Sequence, residues 1–198
     1  MTKDLLIRAA KKSEAAELAI LDDIASSGLA SWIWYGGVIA GTANSALEHG
    51  RALMANPKLH FGYSSADIAE IKGETVGMSI SYKMNMTERP ASMGTKTDEV
   101  LDGCFRLMMK AHGLWYVDGL AVYNAHRRQG FARKLLSAAF EKAKQSQVSA
   151  ITLITENDNK SALSLYKQMG FKLYDEEPFV PFYRQSTTEK WLLLKAAL

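Results

Sequence analysis

The chain has 198 residues, 47% apolar and 23% charged, a globular balance that excludes long disordered stretches and predicts one domain over residues 1–198. Its net charge of +3 is too mild for a phosphate-backbone binder, so no nucleic-acid partner is expected. Cys104 is the one cysteine, which excludes an intrachain disulfide, and four scattered histidines give no zinc pattern; no metal is expected, and a reducing cytoplasm suits the chain.

Residues 4–9 (DLLIRA) read as an opening strand. Ser13 is placed to cap a helix that starts at Glu14, carries Leu18, Leu21 and Ile24 at helical spacing, and ends near Gly28. In GLASWIWYGG, Trp32, Trp34 and Tyr35 crowd together; they either line a pocket or pack in the core. A second helix is expected over 44–54, ended by Asn56-Pro57. Residues 67–84 read as a hairpin turning at Lys72-Gly73-Glu74. Pro90 and Gly94 mark a loop over 87–97, and 99–111 looks helical, with Val100, Phe105, Leu107 and Met108 on its apolar side.

The run 114–122 (LWYVDGLAV) is apolar on both faces and belongs in the middle of a sheet, with Asp118 its one charge. A helix follows HRRQG, its stripe formed by Leu135, Leu136, Ala139, Phe140 and Ala143. A buried strand over 149–155 and a short helix over 159–169, closed by Gly170, come next. Residues 171–174 and 190–195 read as the last strands. Together these elements predict a mixed sheet with helices packed on it. No apolar run reaches the ~18 residues of a membrane span, and the first residues lack the apolar core of a signal peptide, so no membrane partner is expected.

The stretch HRRQGFARKLL raises a charge question. A helix N-terminus is already positive, yet Arg127, Arg128 and Arg133 gather there, so an anion is expected to arrive from outside. A P-loop would end in Gly-Lys-Ser/Thr, which is missing. A dinucleotide fold needs three glycines at set spacing, and only Gly130 is present, with Ala132 at the next small position. The remaining pattern is Arg/Gln-x-x-Gly-x-Gly/Ala, met as Arg127-Arg128-Gln129-Gly130-Phe131-Ala132. The strand ending Leu120-Ala121-Val122 precedes it. Asn159-x-x-Ala162-x-x-x-Tyr166-x-x-x-Gly170-Phe171 follows it. Across this region the chain resembles the GCN5-related N-acetyltransferase (GNAT) superfamily; exposed arginines on a bland glycine turn are the competing reading.

The resemblance implies an α/β (α+β) fold with a GNAT-type mixed, mostly antiparallel central sheet flanked by helices. It implies direct transfer of an acetyl group from acetyl-CoA to a primary amine. The pyrophosphate would sit on the amides of Arg128, Gly130, Ala132 and Arg133, with Arg127, Arg128 and Gln129 completing the loop. The coenzyme arm would pair with the backbone of Leu120 and Val122, and Asn159 would bind that arm or cap its own helix. Tyr166 matches the family tyrosine that protonates the leaving sulfur; core packing is its other reading. Asp118 stands where arylalkylamine-type members carry a histidine. It either acts as the base, through a water, or binds the incoming ammonium. The acceptor is a small-molecule or peptide amine, and an edge strand near the C-terminus offers a surface for pairing two copies. A non-catalytic acyl-CoA sensor is the alternative. Cys104 has no histidine partner in the pattern, so covalent catalysis through it is not expected.

Overall fold

The computed structural model describes residues 5–182 and 187–198. In chain order the elements are β1 (Leu5–Ala9), α1 (Ala15–Ala25), α2 (Leu29–Ile39), α3 (Ala46–Met54), β2 (Ala66–Ile71), β3 (Glu74–Lys83), α4 (Thr95–Lys110), β4 (Trp115–Val122), α5 (Phe131–Gln145), β5 (Ala150–Glu156), α6 (Lys160–Gln168), β6 (Lys172–Pro178) and β7 (Lys190–Ala197). The strands follow the order β1-β2-β3-β4-β5-β7-β6 in a seven-stranded sheet. Pairing is antiparallel for β1/β2, β2/β3, β5/β7 and β6/β7, and parallel for β4/β5. The expected mixed, mostly antiparallel sheet with helices is therefore present, with β4 in the middle. Residue 4 of the expected opening strand lies outside the described residues. By packing, the chain divides into two compact units, Met1–Tyr82 with Asp118–Ala139, and Lys83–Val117 with Phe140–Leu198.

In the first unit, Leu18 and Leu21 of α1, Trp34 of α2 and Met54 of α3 bury against Ile68, Met78 and Ile80 of the β2–β3 hairpin. Each large apolar side chain so buried contributes about 1.5–3 kcal/mol. The aromatic crowd GLASWIWYGG is helical, as α2, and it divides its three rings. Trp34 is 5% exposed and belongs to the core, Tyr35 is 56% exposed, and Trp32 lies between. The α2–α3 contact is made by two small residues facing two rings: Trp34 fills the place a Cβ on Gly50 would take, and His49 does the same at Gly37. Ser13 does not cap α1. It lies in a short 3-10 turn, and the Glu14 carboxylate instead accepts from the Lys11 amide (2.7 Å) and pairs with Arg8 (2.7 Å), which also reaches Glu70 (2.6 Å). Ser45 caps α3 by accepting from the Glu48 amide (3.1 Å).

Still in the first unit, Tyr123 N donates to Val76 O (3.0 Å), and a Cβ on Gly77 would lie 2.6 Å from Ala121 O. Backbone cannot move aside as a flexible side chain can. Gly77→Ala is therefore expected to destabilise the protein by about 1–3 kcal/mol, read as a lower midpoint in urea with unchanged slope.

In the second unit, β4 pairs with β5 over Trp115–Ile151, Tyr116–Thr152 and Val117–Leu153, and Thr152 Oγ1 donates to Trp115 O (3.0 Å). α4 begins at Thr95, earlier than its composition suggests, and Gly113 N and Met84 N close on Met84 O and Leu114 O beyond it (2.8 and 2.9 Å). Phe140 meets Phe171 edge-on at 5.5 Å. On the edge strand β6, Asp175, Glu176 and Glu177 pair with Lys110, Lys190 and Arg106 in turn, the last at 3.0 Å. Among the described residues no helix is long and apolar enough to cross a membrane.

Candidate active site

The loop lies in the first unit. β4 ends at Val122, a 3-10 turn over Asn124–His126 follows, and α5 starts at Phe131. Phe131 and Leu135 are fully buried against Val122, Ala69 and Val76, with Leu120 and Ala132 packed alongside. This apolar anchor fixes where the helix begins. Arg127 Nε donates to Val122 O (3.2 Å), so one guanidinium is tied to the end of β4. Arg128 and Gly130 have φ of 65° and 83°, and all four residues from Arg127 to Gly130 are exposed. Left-handed backbone on both sides of Gln129 turns successive amides outward. The amides of Arg128, Gln129, Gly130, Phe131 and Ala132 donate to no backbone acceptor among the described residues. Arg133 has its side chain exposed on the first turn of α5. The result is a helix start with open donors and added positive charge, suited to a diphosphate.

Asp118 is also in the first unit. Tyr82 Oη donates to Asp118 Oδ2 (3.0 Å), and the His60 ring stacks at 5.7 Å from that of Tyr82. The residue keeps solvent access, yet protein crowds its carboxylate. That crowding pushes its pKa up to about 6, with the Tyr82 hydrogen bond acting in the other direction. Its neighbour Gly119 is buried, and the Asp22 carboxylate of α1 lies 3.1 Å from where a Cβ on Gly119 would stand. Burial first, then the charges of Asp118 and Asp23, raise the Asp22 pKa well above the usual carboxylate range. Asp22 and Tyr82 were not singled out from the sequence. The available signal was position: Asp22 follows Leu18 by four and Ala19 by three, so it lies, half-buried, on the sheet-facing side of α1.

Tyr166 and Asn159 belong to the second unit. Tyr166 is 8% exposed, its ring 5.8 Å from that of Phe171, and its hydroxyl makes no hydrogen bond among the described residues. Burial, then the charge of Glu156, raises its pKa, so the phenol holds its proton throughout the neutral range. Asn159 caps α6, its Oδ1 accepting from the Ala162 amide (3.3 Å). Phe171 N and Gly170 N return to Tyr166 O and Lys167 O (3.0 and 3.2 Å), which closes the helix and fixes the tyrosine's turn. Among the described residues no group of three metal-ligating side chains forms. Phe179 and Phe182 pack at 6.2 Å, and Phe179 lies 4.7 Å from Trp191.

Comparison with known proteins agrees with the fold. Residues 53–171 match the model of the acetyltransferase (GNAT) family. Over 79 residues the chain is 35% identical to N-alpha-acetyltransferase 30 of Saccharomyces cerevisiae, covering 38% of this chain and 45% of that protein. Over 59 residues it is 39% identical to N-alpha-acetyltransferase 30 of Schizosaccharomyces pombe, covering 30% and 39%. The matches thus span less than half the length of these curated relatives. An acetyltransferase of Salmonella typhimurium, yncA, solved with its cofactor acetyl-CoA, superposes with a TM-score of 0.61 at 18% identity, covering 98% of this chain and 94% of that one.

Proposed function

Because the chain belongs to the acetyltransferase (GNAT) family, we propose that it is a single-domain, acetyl-CoA-dependent N-acetyltransferase acting directly on a primary amine. The observation that carries this reading is the start of α5: five amides with no backbone acceptor beside exposed Arg128 and Arg133. Any helix start leaves such amides to water or to a ligand, and the arginines beside these favour an anion. Acetyl-CoA supplies an activated thioester carbonyl. Arg128, Gln129, Gly130 and Ala132 hold the diphosphate, and Leu120 and Val122 offer backbone to the arm. Asp118 accepts the proton of the attacking ammonium, directly or through water, and the Val122 amide donates to the developing oxyanion. As the new C–N bond forms and the C–S bond breaks, the nitrogen releases its second proton to solvent, while Tyr166 gives its proton to the departing sulfur and regains one from solvent. The names of the two yeast relatives suggest a peptide α-amine as the first acceptor class to try. The cytoplasm is the proposed compartment.

Adding acetyl-CoA or CoA is expected to raise the melting temperature, while ATP and NADH leave it unchanged. Saturation at 100 times Kd corresponds to about 2.7 kcal/mol of added stability. Equal shifts from all four would reduce the loop to a general phosphate binder. Acetyl-CoA binding with no thiol release across peptides, amino acids and polyamines would favour an acyl-CoA sensor.

A further inference from the structure

We propose that Tyr82 is the positioning residue of the base: its hydroxyl holds one oxygen of Asp118, leaves the other for the proton of the amine, and thereby sets the pH range over which transfer runs. The inference deepens the transferase reading and rests on it, with Asp118 as the base.

Tyr82 stands two residues beyond Ile80 on β3 and continues the face that Met78 and Ile80 bury against Leu18 of α1 and Met54 of α3. Its ring packs on the same cluster and lies 5.7 Å from the ring of His60. A tyrosine has two rotatable side-chain bonds, so an anchored ring places its hydroxyl with little freedom. From there Oη donates to Asp118 Oδ2 at 3.0 Å, reaching from β3 to β4. Asp118 Oδ1 accepts no hydrogen bond among the described residues. One oxygen is held and the other is open.

The core requires only the ring, which phenylalanine would supply equally. The oxygen acts on Asp118. A neutral donor favours the carboxylate over the carboxylic acid, so it opposes the crowding that raises the group. It also fixes the orientation of the carboxylate and hence of the lone pairs that take the proton. Among the described residues, the titratable groups around Asp118 are Tyr82 of β3, with His60 against its ring, and Asp22 of α1, with Asp23 beside that. Burial first, then the charge of Asp118, raises Asp22, which assigns the earlier ionisation to Asp118 as the pH climbs. No cation pairs with Asp118 among the described residues, so within this set the tyrosine is the group that favours the charged base.

The test follows the carboxyl carbon of Asp118 by nuclear magnetic resonance in protein labelled with carbon-13 aspartate, the signal being assigned by its absence from Asp118→Asn. It should titrate about one pH unit higher in Tyr82→Phe than in wild type, the size expected for one hydrogen bond to a charged group. Thiol release from acetyl-CoA with peptides, amino acids and polyamines is measured across the same pH range. The acid limb of kcat/KM should move up equally, a loss of about tenfold on the limb, while the acetyl-CoA shift in melting temperature persists. Histidine is the other side-chain type that changes charge near neutrality, and His60→Gln should leave the limb in place. An Asp118 signal that titrates alike in wild type and Tyr82→Phe, a limb unmoved in Tyr82→Phe, or a limb lost in His60→Gln would each overturn the proposal. The failures are separable. Silence of wild type across all acceptors counts against the transferase, and a limb that survives in Asp118→Asn counts against the base. A limb lost there and unmoved in Tyr82→Phe counts against Tyr82 alone.

Discussion

Replacing Tyr166 with phenylalanine is expected to lower kcat by about 10²- to 10⁴-fold, the usual range for a positioned acid, while the acetyl-CoA shift in melting temperature persists. The substitution removes one oxygen and leaves the ring on Phe171. That oxygen makes no hydrogen bond within the described residues, so its loss orphans no partner. Burial and Glu156 both favour the neutral phenol, which is the form able to donate to a departing thiolate. Rate and affinity measured together discriminate the roles. If coenzyme affinity collapses and the rate per bound coenzyme holds, Tyr166 is a packing residue.

Asp118→Asn is expected to have a comparable effect, about 10²- to 10⁴-fold on kcat/KM, and to change the pH profile as well. The base must be ionised, and its pKa is pushed up to about 6. In wild type, kcat/KM should therefore rise tenfold per pH unit below that value and flatten above it. The asparagine variant should lose this acid limb. Stability runs the other way. The folded-state pKa lies above the unfolded one, so the stability linked to Asp118 is complete at pH below about 3.9 and is lost as the pH rises through about 6. Activity gained across the same interval in which stability declines is the signature to look for. An acid limb that survives in Asp118→Asn would assign the base elsewhere.

Much of the fold was readable because its signals are local. β4 is apolar on both faces and proved central; Asn159 and Gly170 bracket α6 as a cap and a stop. α2 was harder. WIWYGG is apolar all round, so it shows no helical period, and its two glycines read as a break. Those glycines instead admit α3 to close contact, a tertiary reason that no local pattern carries. Ser13 failed as a cap because Glu14 is held by Arg8 and the Lys11 amide, the first of which lies in β1. At the site, the loop is expected from its residue pattern and Tyr166 from the resemblance to the family. The approach of Asp22 to Gly119 was not legible, because the two lie nearly a hundred positions apart in the chain.

The ion pairs of β6 have a further consequence. An outermost strand offers unpaired backbone to any passing chain, and Leu173 and Tyr174 there are exposed apolar bait. Asp175, Glu176 and Glu177 surround that bait with acid, and their lysine and arginine partners hold the row in place. Each acid is balanced by its partner cation, so a strand docking along this border has to desolvate or break those pairs. That cost stands against the pull of the exposed apolar pair, and it falls as salt screens the charges.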